Sequence, residues 1–175
     1  MTTKVLARLA PAATDMIRAD HARVLATFHR YKCDAAAAAK RSLVANLCLA
    51  LEVHAQMEEE IFYPAMASVD QALIGRFIAE HDRMRSLIGE LRAADPAEPQ
   101  YDEHVMALMR EVLHHVADEE TVLLPQAERV LGERLGELGA RLMKRRLAMP
   151  LTTLVLPALA LVAGIALLRH VRRYA

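Results

Sequence analysis

A chain of 175 residues is long enough for one domain with a sizeable core and an appendage. Its 22 lysines and arginines balance 22 aspartates and glutamates. With no glycine-rich phosphate loop and no basic patch interleaved with aromatics, the composition argues against nucleic-acid binding. Few glycines and prolines among abundant Ala, Leu, Arg, Glu and Met favour helix over sheet.

In chain order, residues 1–13 carry Lys4 and Arg8 but lack an apolar stretch long enough for export, so no secretory signal is expected. Helical spacing of Ile17, Val24, Leu25 and Phe28 predicts a first helix over 13–31, capped by Thr14. After a break at 32–34, which includes Cys33, an alanine run opens a second helix over 35–63, ended near Pro64. A third helix is expected over 69–93, with Ser68 as its cap, and residues 94–99 are the clearest loop. A fourth covers 101–124 and bends or ends near Pro125, and a short amphipathic fifth covers 131–144. Cys33 and Cys48 form no CxxC pair and read as reduced structural thiols of a cytosolic-facing domain.

From Leu147 to Leu168 no residue is charged, with Lys144, Arg145 and Arg146 before the run and Arg169, Arg172 and Arg173 after it. At about 1.5 Å per residue that length spans a hydrocarbon core of about 30 Å. Basic residues on both sides leave the orientation open. The default is a single-pass C-terminal anchor at the membrane with the preceding domain in the cytoplasm. Self-association through the small residues Ala160, Ala163 and Gly164 would make an oligomer. The expected architecture is all-α: an up-down-up-down four-helix bundle over 13–130, a short fifth helix within an amphipathic linker over 131–146, a transmembrane helix over 147–168 and a basic tail over 169–175.

The chain repeats itself. His54 and His115 each open the pattern H-x3-E-E-x4-P, ending in Pro64 and Pro125, and Asp20-His21 is echoed by Glu80-His81. Each histidine shares the apolar stripe of its helix: His21 with Ile17 and Val24, His54 with Leu47, Leu51 and Ile61, His81 with Phe77, Met84 and Ile88, His115 with Leu108, Val112 and Val122. Glu58 and Glu119 follow one turn later on the same stripes. Four histidines and two glutamates facing inward are costly to bury without partners. Imidazole and carboxylate ligands in a bundle core suit iron, manganese or zinc.

Residues 15–125 resemble the hemerythrin, or HHE cation-binding, domain. The resemblance rests on Asp20-His21, on His54-x3-Glu58-Glu59 with Phe62-Tyr63-Pro64, on Glu80-His81, and on His115-x3-Glu119-Glu120 with Pro125. The stretch from Leu135 to Arg141 is similar to the tail that often follows this domain. The resemblance implies two iron ions joined by an oxo or hydroxo bridge, held by His21, His54, Glu58, His81, His115 and Glu119, that meet dioxygen, hydrogen peroxide or nitric oxide. Oxygen carriers of the family have a fifth histidine one turn from the one on the third helix, where this chain has Phe77 and Arg85 beside His81. They also place an aspartate five residues after the last-helix histidine, where this chain has Glu119 four residues after His115. The pattern H…HxxxE…H…HxxxE is similar to bacterial members, some linked to peroxide breakdown. The missing ligand leaves a position for water, substrate or Tyr63, whose counterpart in the repeat is Leu124.

Two functions share these ligands: redox turnover of peroxide or dioxygen, and non-enzymatic binding, sensing or storage of oxygen, nitric oxide or iron. A third reading is a metal-free structural bundle. His29, His104, His114 and His170 are expected at the surface or in structural roles, and the methionines as core filler. Glu59, Glu60, Glu120, Asp20 and Glu80 are expected on polar faces, where those beside a ligand can support it.

Overall fold

The computed structural model describes residues 10–149. Its helices are α1 (Ala13–His29), α2 (Ala37–Met57), α3 (Gln71–Ala93), α4 (Pro99–Asp118) and α5 (Arg134–Ala148). The described residues contain no strand. Helices α1 to α4 form a closed ring in which α1 and α3 each pack between α2 and α4.

The ends of α2 and α4 differ from expectation. Neither rod stops at its proline. α2 passes through a widened π turn (Glu58–Phe62) into Tyr63–Met66, and α4 through Glu119–Leu123 into Leu124–Leu131. Proline has no N–H and its ring strikes the carbonyl four residues back. One extra residue in the turn before it relieves that clash, and the Tyr63 and Leu124 amides bond instead to the carbonyls of Glu58 and Glu119, five residues back. The inserted residue also rotates the stripe beyond it. Val122, expected inside, is 46% exposed, while Leu123 and Leu124 are fully buried. The α3 cap is Asp70 rather than Ser68, its side chain accepting the Leu73 N–H at 2.9 Å. Thr14 lies inside α1 and caps nothing. The α4 rod ends at Gly132, whose φ of +49° turns the chain into α5.

The core has two apolar layers. One, with Val24, Phe28, Leu47, Leu51, Ile88, Leu108 and Val112, fills the end near the 94–99 loop. The other, with Ile17, Phe62, Met66, Phe77, Leu123 and Leu124, fills the end near the π turns. Between them lies a slab of histidine and glutamate.

The fifth helix, expected as part of a linker, is docked on the bundle. Leu135, Leu138 and Leu142 complete the second apolar layer. Gly139 meets the start of α1 so closely that a Cβ there would lie 1.9 Å from the Pro11 carbonyl oxygen. Arg145 clasps Glu60 through two bonds of 2.7 and 3.1 Å. The backbone becomes extended at Met149 (ψ 140°), as a residue before proline must. Among the described residues no helix is long and apolar enough to cross a membrane. The run expected to do so at 147–168 lies, from residue 150 on, outside the described residues.

Candidate metal centre

The six side chains expected as ligands all meet in the slab between the apolar layers. His21 comes from α1, His54 from α2, His81 from α3 and His115 from α4, each at most 5% exposed. Glu58 and Glu119 open the two π turns, 1% and 0% exposed. The imidazoles fall into two close pairs, His21 with His54 (ring centroids 4.9 Å apart) and His81 with His115 (4.7 Å). Each glutamate links the pairs. Glu58 presents Oε1 to His54 Nε2 at 3.2 Å and Oε2 to His81 Nε2 at 3.4 Å. Glu119 Oε2 stands 3.1 Å from His21 Nε2 and 3.7 Å from His115 Nε2.

All four Nε2 atoms, Glu58 Oε1 and both oxygens of Glu119 are buried without a hydrogen bond. Leaving a buried polar atom unsatisfied costs about 1–3 kcal/mol, and native folds hold few of them. Here they converge on one point. Two overlapping sets, His21-His54-His115-Glu119 and His54-Glu58-His81-His115, have ligand atoms within 4.8 Å of one another. Such a donor set fits cations that accept imidazole and carboxylate.

The outer nitrogens face carboxylates. His21 Nδ1 bonds Glu120 at 2.9 Å, His81 Nδ1 bonds Glu59 at 2.8 Å and His115 Nδ1 bonds Glu80 at 2.9 Å. His54 Nδ1 faces Asp20 at 3.9 Å. A proton held at Nδ1 by an anion leaves Nε2 free to ligate and fixes the ring plane. Glu120 reaches from the second hairpin to the first, and Glu59 from the first to the second. These four carboxylates were expected only on polar faces with a supporting option; their signal was adjacency, since each lies next to a candidate ligand in sequence.

Electrostatics in the slab are strongly perturbed. Burial drags His21 down, but Glu119, Glu58 and Glu120 outweigh it and lift the imidazole to about 9. His54 falls to about 4, mainly through burial, despite Asp20. Burial and then the charge of Glu119 push Glu58 well above the carboxylate range. Glu119 is also raised by burial, yet its histidine neighbours, His21 first, bring it to about 2. Closely spaced groups moved this far apart mark a site built for charge.

Tyr63 is 1% exposed, stacks on His81 at 5.6 Å, and donates its hydroxyl to Glu58 Oε2 at 3.1 Å. The π turn carries it over Glu58. On the other flank a small cavity of about 10 Å³ is lined by the four histidines with Val24, Leu51, Met84, Val112 and Val116. By contrast, His114 is exposed beside Asp118, and His104 meets Glu90.

Residues 12–127 match the Hemerythrin HHE cation binding domain. The fold is similar to the crystal structure of a Hemerythrin HHE cation binding domain-containing protein from Mycobacterium kansasii, with TM-score 0.68 and 21% identity over 77% of this chain and 85% of that one. A curated relative, a DNA nickase of Nostoc sp. (strain PCC 7120 / SAG 25.82 / UTEX 2576), is 27% identical over 110 residues, 62% of this chain and 31% of that protein. The chain therefore spans less than a third of that relative's length. On the match over residues 12–127, the chain belongs to the hemerythrin HHE cation-binding domain family.

Proposed function

We propose that this protein holds two iron ions and uses them on hydrogen peroxide or dioxygen, with disproportionation of peroxide to water and dioxygen as the leading activity. The observation that carries the reading is the convergence of seven buried, unbonded ligand atoms from His21, His54, Glu58, His81, His115 and Glu119. His21 and His54 would hold one ion and His81 and His115 the other, with Glu58 and Glu119 spanning both. The pair supplies redox equivalents when bound. Manganese or zinc would satisfy the same atoms. The chain's own part is to keep the imidazoles oriented through Glu120, Glu59 and Glu80, to exclude bulk water, and to hold a proton on Tyr63 Oη at the edge of the site. Burial, then Glu58 and Glu119, raise that phenol well above its usual range, so it stays a donor.

A cavity of about 10 Å³ has room for about one molecule the size of water. Its apolar lining also favours a second reading, reversible binding of dioxygen or nitric oxide, or sensing or storage without turnover. The test is metal analysis of the purified chain followed by oxygen evolution from added peroxide. Two irons per chain with turnover supports the first reading, and reversible spectral change without turnover the second. Zinc, or no metal in folded protein, overturns both.

We also infer that residues 150–168, the part of the uncharged run beyond α5, anchor the protein in a membrane, with the bundle on the cytoplasmic side; partition of the full chain, but not of a chain ending at 149, into membranes tests this. The DNA nickase activity is not carried over, because the shared segment is 31% of that protein.

A further inference from the structure

The two halves of the site correspond residue by residue, with one addition. Asp20, His21 and Arg23 of α1 match Glu80, His81 and Arg83 of α3, 60 residues on. On the α3 side, Glu80 Oε2 meets His115 Nδ1 at 2.9 Å, and Arg83 stays 4.0 Å from the other oxygen. On the α1 side, Arg23 donates to Asp20 Oδ1 at 3.1 Å. The last turn of α5 then delivers Arg146, whose Nη2 donates to Asp20 Oδ2. That oxygen is the one facing His54 Nδ1, which stands off at 3.9 Å, outside hydrogen-bond range. Among the described residues, Glu80 receives no such arginine from a fifth helix.

We propose that Arg146 is a positioning residue of the metal centre: by holding Asp20 Oδ2 it keeps that carboxylate from closing on His54 Nδ1, so the half-site of His21 and His54 releases its ion faster than the half-site of His81 and His115. The inference rests on the two-metal reading above. A carboxylate on the outer nitrogen fixes the ring and raises the basicity of the ligating nitrogen, and its loss costs about 10–100-fold in metal affinity. Arg146 and Arg23 also place two positive charges behind His54. The arginine stands on a helix held by Gly139 and by the Arg145–Glu60 clasp, so the docking of α5 and the grip of one half-site are linked.

The full chain in detergent micelles, loaded with cobalt(II) and mixed with excess EDTA, gives the test through decay of its visible absorption. The expected wild-type result is two phases of similar amplitude, the faster one lost in His54→Ala. Arg146→Gln should slow the fast phase roughly tenfold, and Arg146→Lys should restore it. Circular dichroism confirms that each variant is folded, and the side chain replaced lies at the rim of the bundle. Asp20 is one methylene shorter than Glu80, which offers a rival cause. If Arg146→Gln leaves the ratio of rates unchanged while Asp20→Glu slows the fast phase, side-chain length sets the asymmetry and the proposal falls. A single wild-type phase overturns it as well. A wild-type chain that takes up no cobalt removes the two-metal reading itself, and this inference with it.

Discussion

Tyr63 and Leu124 occupy equivalent places in the two halves, yet only the tyrosine can present a proton to the site. Tyr63→Phe keeps the ring against His81 and Phe77 and loses the bond to Glu58. A net hydrogen bond is worth about 1 kcal/mol, so the variant should stay folded with a stability loss of that order in urea titration. If Tyr63 acts as a proton donor, both metal ions should remain while peroxide turnover falls; loss of an ion in metal analysis would make the phenol a ligand. The outer carboxylates predict a different pattern. Glu59→Ala leaves the inner ligands untouched but frees His81 Nδ1. It should weaken metal binding about 10–100-fold, measured by competition with a chelator, with little change in helicity.

At the scale of elements, α5 offers the sharpest substitution. Alanine normally stabilises an exposed helical position by about 1 kcal/mol over glycine. At Gly139 the sign reverses, because the new Cβ would meet the Pro11 carbonyl oxygen, a backbone atom that cannot rotate away. Gly139→Ala should lower stability by about 1–3 kcal/mol, seen as a lower melting temperature. The same elements show what could be read from sequence. The four slab histidines share stripes with Ile17, Leu51, Phe77 and Val112, each three or four residues before its histidine, and since a helix has one period along its length that spacing locates the slab. That arithmetic fails past a π turn, which is why Val122 was expected inside and Leu123 is found there. Pro64 and Pro125 signalled a break, but a backbone can widen as well as stop. The Arg146–Asp20 contact joins residues 126 apart, and nothing local in sequence announces it.

For the whole molecule, stability is divided between ends with different chemistry. At the end far from α5, Lys40, only 7% exposed, donates to both oxygens of Asp102 at 2.8 and 3.0 Å, and the Tyr31 hydroxyl donates to the same carboxylate. Burial raises Asp102, but Lys40 and Tyr31 outweigh it and hold the group below its usual range. A carboxyl depressed in the fold stabilises above its unfolded pKa of about 4, and that gain disappears as pH falls through the lower folded value. Asp102→Asn should therefore cost about 1–3 kcal/mol at pH 7, with the gap to wild type narrowing below about pH 4. Denaturation curves at pH 7 and pH 3 check both parts. At the centre, a metal held by the slab would act by mass action: an ion present at a hundredfold its Kd adds about 2.7 kcal/mol. Chelation should lower the melting temperature, and re-addition of iron should restore it.

Because Glu120 serves His21 and Glu59 serves His81, neither hairpin carries a complete set of supports for its own imidazoles. Residues 67–70, between Tyr63–Met66 and α3, are the covalent joint between them. A chain nicked there becomes two fragments, each bearing half of a lock whose key is the cation. Such fragments should stay apart in chelator and recombine when metal is supplied, turning a connection by peptide bond into one by coordination.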